Sequence, residues 1–209
     1  MKGLFITFEG PDGSGKTTQI ELLTGYLKEK GREVVTAIEP GGTKLGKKIR
    51  HMLLDKENTG MSHTAETLLF QASRAELVSK VISPALKADR IVICDRFFDS
   101  TIVYQGIARG LGKEKILDMS LWATGGLVPD LTFLLSLDVS RGEERISGSL
   151  RDRDRIEMEE DKFKQKICEG YLELAEEFKG RIISIDAGQE IKAVFNTIRE
   201  KVDGELRKR

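Results

Sequence analysis

The eight residues Gly10-Pro11-Asp12-Gly13-Ser14-Gly15-Lys16-Thr17 constrain the fold of this chain more than any other stretch. They fit G-x-x-x-x-G-K-[ST]. They stand between an apolar run, Leu4-Phe5-Ile6-Thr7-Phe8, and a segment with Ile20, Leu23 and Leu27 at helical spacing. A buried strand that turns sharply into a helix is the setting in which such a string cradles a phosphate. Glycines let the backbone turn tightly and aim successive N–H groups at one anion. The helix start adds unpaired N–H groups and the positive end of a dipole. Lys16 adds a point charge, and the Thr17 hydroxyl can reach Mg²⁺. A turn that merely joins strand to helix needs neither the lysine nor the hydroxyl, so the motif points to a bound nucleotide.

The rest of the chain repeats the same alternation. Apolar runs at residues 4–9, 33–38, 91–94, 131–137 and 182–185 read as strands. Helical spacing predicts helices over 17–30, 44–54, 62–87, 100–109, 113–124, 140–147, 157–179 and 190–206, with Ser62 as a cap and Pro84 kinking its helix or splitting off a last turn. All five strands read as buried on both faces. The implied architecture is α/β, a five-stranded parallel sheet with helices on both faces. With no internal repeat or linker, the 209 residues read as one domain. Ligands on such sheets collect at the carboxyl ends of the strands, where the phosphate loop, residues 39–43, Asp95-Arg96 and Asp186 all fall.

Composition excludes several function classes. The 34 basic and 34 acidic residues cancel, so binding to nucleic acid through bulk charge is not expected. No apolar segment reaches the length of a membrane span and no signal peptide opens the chain, so a cytoplasmic protein without membrane contact is expected. Cys94 lies in the apolar run Ile91-Val92-Ile93-Cys94, as a small buried thiol would, and two cysteines make no disulfide framework. His51 and His63 have no spaced partner for a metal.

Asp95-Arg96 follows its strand directly. An acid so placed can help hold Mg²⁺ beside the phosphate loop, and the arginine can grip a phosphate bidentately. The string from Asp95 to Gly106, DRFFDSTIVYQG, resembles the thymidylate kinase signature D-R-[FYH]-x-x-S-x-x-[AV]-[FY]-Q-G. Glu39-Pro40-Gly41-Gly42-Thr43 resembles that family's acceptor-phosphate loop, and Leu68-Leu69-Phe70-Gln71-Ala72-Ser73-Arg74 its L-L-F-x-A-x-R helix. Asp154-Arg155-Ile156-Glu157, Phe163 and Gly170-Tyr171-Leu172-Glu173-Leu174-Ala175 resemble its lid and the helix after it.

The resemblance implies a P-loop nucleoside monophosphate kinase fold with a small lid at about residues 147–157. It implies transfer of a phosphoryl group from ATP, with Mg²⁺, to dTMP, and a homodimer packed through helices. Gly10, Pro11, Asp12, Gly13, Ser14, Gly15, Lys16, Thr17 and Thr18 would hold ATP, and Thr17 and Asp95 the metal. Arg50 and Arg96 would hold the acceptor phosphate, with Ser100 beside them. Asp12 would meet the sugar 3′-hydroxyl, and Tyr104 would crowd the 2′ position. Phe70 would stack on thymine, Arg74 would hydrogen-bond it, and Gln105 would lie by the base. Phe70 and Arg74 are four apart and so share a helix face, which suits base stacking combined with base choice.

Two departures from the family pattern shape the expectations. Some members carry an arginine in the phosphate loop after the Asp, where this chain has Gly13 and Ser14. Members lacking it carry basic residues in the lid, which makes Arg151 and Arg153, with Lys16 and Arg96, the candidate catalytic cations. Many relatives have arginine before the Glu-Pro-Gly-Gly-Thr loop, where this chain has Ile38, so that contact is either absent or made from elsewhere, with Arg50 and Lys44 as the candidates. Arg141 or Arg145 and the backbone near residues 186–188 are candidates for the adenine pocket. The alternatives are a kinase for another nucleoside monophosphate and a nucleotide-dependent switch. The guanine-reading N-K-x-D of GTPase switches does not occur.

Overall fold

The computed structural model describes residues 3–147 and 154–209. Five strands form one parallel sheet: β1 Phe5–Glu9, β2 Val34–Ile38, β3 Ile91–Asp95, β4 Leu131–Ser136 and β5 Ile182–Asp186, in the order β2-β3-β1-β4-β5. β1 lies at the centre, with Phe8 beside Asp95 of β3 and Phe133 of β4. Ile6 and Phe8 face a core shared with α1 (Lys16–Glu29) and α9 (Ile191–Leu206), while Phe5 faces a second core on the other side. That double burial is why the central strands are continuous apolar runs. The expectation that all five strands are buried on both faces is corrected at the edges. Thr36 and Ile38 of β2 and Ser184 and Asp186 of β5 are exposed, because each outer strand has only one neighbour and less helix above it.

On the second face, α2 (Lys44–Leu54) and α3 (His63–Leu77) are capped by Thr43 and Ser62, whose hydroxyls accept from the N–H groups of Gly46 and Ala65. α3 widens into a π turn, Val78–Ile82, and continues as α4 (Ser83–Lys87). Pro84 sits in the first turn of α4, where a missing N–H is tolerated, so the last turn is set off as anticipated. The predicted helix over 100–109 is α5 (Phe98–Thr101) followed by π turns at Ile102–Ala108, which carry Tyr104 and Gln105. α6 (Lys113–Thr124) and α7 (Val139–Ser147) follow the predicted spans closely.

α8 (Asp161–Glu177) begins four residues later than expected from the sequence. Asp154 Oδ1 accepts from the N–H groups of Ile156 and Glu157, and Glu157 Oε2 accepts from Asp154 N–H. These local bonds compete with the helix and close a turn in its place.

Asp99 fastens the sheet to α5. Its carboxylate is 1% exposed and receives both Arg181 Nη atoms, at 2.7 and 2.8 Å. Arg181 also bonds Thr132, whose hydroxyl meets Thr7 on β1. Arg181→Ala therefore leaves a buried carboxylate without its counter-charge. The expected loss is about 3 kcal/mol of unfolding free energy, measured by urea denaturation. A loss within the range of surface substitutions would show that the pair is not what holds this corner.

Candidate active site

A cavity of about 430 Å³ opens over the carboxyl ends of β1 and β3. Asp12, Gly13, Gly15, Lys16 and Thr17 line one end of it. Arg50, Phe70, Arg74, Ser100, Tyr104 and Gln105 line the other, with Asp95 and Arg96 between. Residues named from separate motifs thus meet in one space. Of the remaining candidates, Gly10, Pro11, Ser14 and Thr18 do not line this cavity, although they belong to the same loop and helix start. Arg151 and Arg153 lie outside the described residues.

The phosphate loop is folded back on its lysine. Lys16 Nζ donates to the carbonyls of Gly10 and Pro11, each at 3.0 Å, and the side chain is buried. Burial, then the Arg96 charge, bring its ammonium down from 10.5 to about 8, against the pull of Asp12, Asp95 and Glu9. Gly15 caps α1 at φ 87°, a conformation costly for any other residue. Gly13, at φ 77°, has no room for a side chain: a Cβ there would stand 2.7 Å from the Gly142 carbonyl oxygen of α7. Arg145 of α7 adds a bond from Nη1 to Gly13 O and one from Nη2 to Ala187 O. A Cβ on Gly188 would run into the Arg141 guanidinium. Both arginines therefore lie along the β5–α9 connection, where the adenine pocket was expected.

Arg96 leaves β3 in the left-handed region, at φ 65°, an uncommon state for an arginine. The bend carries its guanidinium back across β1. Nη2 reaches Asp12 Oδ1 at 2.7 Å, and Nη1 donates to the hydroxyls of Ser100 and Tyr171. Those hydroxyls stand on Glu9 Oε2, and Phe97 N–H donates to Glu9 Oε1. Burial first, then the Asp99 carboxylate, push the Glu9 carboxyl from 4.5 up to about 7, against the pull of Ser100, Arg96 and the Phe97 N–H.

At the far end, Phe70 is half-buried and lines the cavity instead of joining the core. Arg74 is 1% exposed. It pairs with Glu39, donates to Gln71 and Thr101, and keeps a buried Nε that has no partner among the described residues. The Glu39–Thr43 loop is held from the same helix, since Gly41 N–H donates to Ser73, and Arg50 donates to Pro40 O. Tyr104 packs edge-on against Phe163 and Tyr171, with the Arg96 guanidinium 5.4 Å from its ring centre. Gln105 donates to Glu66.

The Thr17 hydroxyl and Asp95 carboxylate both line the cavity. They are hard oxygen donors of the kind Mg²⁺ takes together with substrate phosphates and water. Among the described residues no group of three His, Cys, Asp or Glu forms a cage for a metal.

Glu9, Glu66 and Arg109 were not named as site residues from the sequence, and Tyr171 was named only within the string resembling the helix after the lid. Glu66, Phe70 and Arg74 recur every fourth residue, and that spacing was the available signal for Glu66.

A family model for thymidylate kinase matches residues 8–198. The chain belongs to the thymidylate kinase family. It is 45% identical over 196 residues to the thymidylate kinase of Geobacillus sp. (strain WCH70), covering 93% of each chain. It is 45% identical over 207 residues to that of Caldanaerobacter subterraneus subsp. tengcongensis, covering 99% of this chain and 98% of the other. A crystal structure of thymidylate kinase from Ehrlichia chaffeensis superposes with a TM-score of 0.78 at 33% identity, over 97% of this chain and 99% of that one. The parallel sheet and P-loop are thus the nucleoside monophosphate kinase fold of this family.

Glu9 makes the stability of the ligand-free enzyme depend on pH. Between about 4.5 and 7 the folded protein holds a proton on Glu9 that the unfolded chain has released, so this contribution is full below 4.5 and lost as pH rises through 7. Glu9→Gln keeps a hydrogen-bonding amide and cannot ionise. Its unfolding free energy relative to the parent should rise by about 3 kcal/mol between pH 4.5 and 8. A difference that stays constant across that range would refute the raised carboxyl.

Proposed function

We propose that the chain transfers the γ-phosphoryl group of ATP to dTMP, giving ADP and dTDP, by direct in-line displacement. The observation that carries this reading is the single cavity running from Lys16 to Phe70, in which a donor phosphate and an acceptor nucleotide can meet. No covalent intermediate is required. The attacking oxygen belongs to an ionised phosphate and needs no general base, so catalysis rests on positioning and on compensating cations.

In this assignment the loop from Gly10 to Thr17 and the start of α1 at Thr18 hold the ATP phosphates. Lys16 leaves the Gly10 and Pro11 carbonyls to meet the transferred group. Arg96 and Arg50 hold the acceptor phosphate, with Ser100 fixing Arg96, and Asp12 takes the 3′-hydroxyl. Tyr104 fills the space of a 2′-hydroxyl, Phe70 stacks on the base, and Arg74 and Gln105 bond its edge. Thr17 and Asp95 would hold Mg²⁺, which supplies charge neutralisation between the phosphates when bound. Arg151 and Arg153 are assigned to a lid at about residues 147–157 of a single domain, adding positive charge and excluding water on closure.

A homodimer is assigned to the face formed by α2, α3 and α6. Leu45, Met52, Leu68 and Trp122 are exposed there, Trp122 by 86%, and α3 packs against both other helices. A cytoplasmic location agrees with the free thiols Cys94 and Cys168. Among the described residues no helix is long and apolar enough to cross a membrane.

With ATP as donor, dTMP should be turned over faster than dCMP or UMP in a coupled ADP-release assay, and the reverse order would sink the assignment. Lys16→Ala should cost about 3 kcal/mol of activation free energy, roughly a hundredfold in kcat. Near-normal turnover in that variant would remove Lys16 from the mechanism.

A further inference from the structure

Glu66 is 0% exposed, a costly place for a carboxylate. Three side chains converge on it. Gln105 Nε2 donates to Oε1 at 2.9 Å, Arg109 Nε approaches Oε1 at 3.3 Å, and Arg155 Nη2 donates to Oε2 at 2.5 Å. Both arginines are fixed elsewhere too: Arg155 Nε donates to Leu53 O, and Arg109 pairs with Glu159. Burial pushes the Glu66 carboxyl up, but the bonds from Gln105 and Arg155 and the charges of both arginines outweigh it and hold it below the usual range. It is therefore an ionised, acceptor-only group.

A primary amide has two distinct ends, and which one faces the cavity decides what Gln105 can read. An ionised Glu66 accepts only the NH₂ end. Gln105 is 1% exposed, lines the cavity, and its side-chain oxygen Oε1 accepts no hydrogen bond from the described residues. Arg74, on the same helix as Glu66, lines the same cavity and brings an Nε–H donor without a partner among the described residues. An acceptor and a donor lining one cavity match a pyrimidine with N3–H and a 4-oxo group. They oppose cytosine, which presents a bare N3 and a 4-amino group.

We propose that Glu66 is a positioning residue that sets the base preference of the site through Gln105, holding its amide so that the carbonyl oxygen meets the N3–H of the acceptor base. The inference rests on the dTMP reading above. Glu66→Gln undoes the arrangement in a defined direction. The single carbonyl oxygen of the new amide is drawn to the two arginines, its NH₂ turns to Gln105, and Gln105 reverses to offer NH₂ to the base. Glu66→Asp keeps the charge between the arginines but withdraws the carboxylate by one methylene, leaving the Gln105 amide free to turn.

The test compares kcat/KM for dTMP, dCMP and dUMP in the full-length parent and both variants, with the arginine partners intact. Dominant turnover of dTMP by the parent checks the underlying reading on its own. In both variants the preference for dTMP over dCMP should fall at least tenfold. The preference for dTMP over dUMP, which share N3–H and O4, should stay within about twofold. In Gln105→Leu, adding Glu66→Gln should lower the dTMP/dCMP ratio no further. An unchanged dTMP/dCMP ratio in Glu66→Asp would overturn the proposal, as would equal loosening toward dCMP and dUMP, which marks a merely structural role.

Discussion

The bond between Arg96 and Asp12 holds the two halves of the site in register. Parallel pairing sets the ends of β1 and β3 side by side, and ionisable groups crowd there: Glu9, Asp12, Asp95, Lys16 and Arg96. Left alone the two cations would repel each other, and burial already presses the Lys16 ammonium down. The protein's own acids and carbonyls offset that repulsion. Asp12 holds one arm of Arg96, the Ser100 and Tyr171 hydroxyls standing on Glu9 hold the other, and the Gly10 and Pro11 carbonyls hold Lys16. Both cations are thus held in fixed places by bonds within the protein.

α3 is the second organiser. Its inward face carries Glu66, Phe70 and Arg74 at four-residue intervals, with Gln71 and Ser73 beside them. From that one face it supports the Glu39–Thr43 loop through Ser73 and Arg74, offers Phe70 to the cavity, and anchors Arg155 through Glu66. A rigid helix can hold side chains in fixed relation along its length, and here it spans the Phe70 end of the cavity and the segment leading into α8.

Where sequence reasoning succeeded, the chemistry was local. The phosphate loop and the Asp95-Arg96 pair need their residues close together in the chain, and central strands buried on both faces announce themselves as apolar runs. It failed where the chemistry joins distant positions. Glu66 reads as one more acid in a helix until Gln105, Arg109 and Arg155 arrive, 39, 43 and 89 positions later. Glu9 reads as the last residue of a strand, and only folding places Phe97, Ser100 and Tyr171 around it. The edge strands were misjudged because hydrophobicity reports the tendency to be buried, whereas strand order decides how many neighbours are available. The π turns at Ile102–Ala108 have no sequence period that separates them from an α-helix.

Gly13 shows how a local absence can follow from a distant contact. Next to Asp12, the space a side chain at position 13 would fill is closed by the Gly142 carbonyl of α7. Gly142 is itself constrained, since a Cβ on it would stand 3.0 Å from the Asp12 carbonyl oxygen. Two glycines therefore allow α7 to lie against the phosphate loop, and Arg145 adds a bond to the Gly13 carbonyl. A side chain at position 13 and this packing exclude each other. The cost of the close approach is a cation the loop can no longer carry.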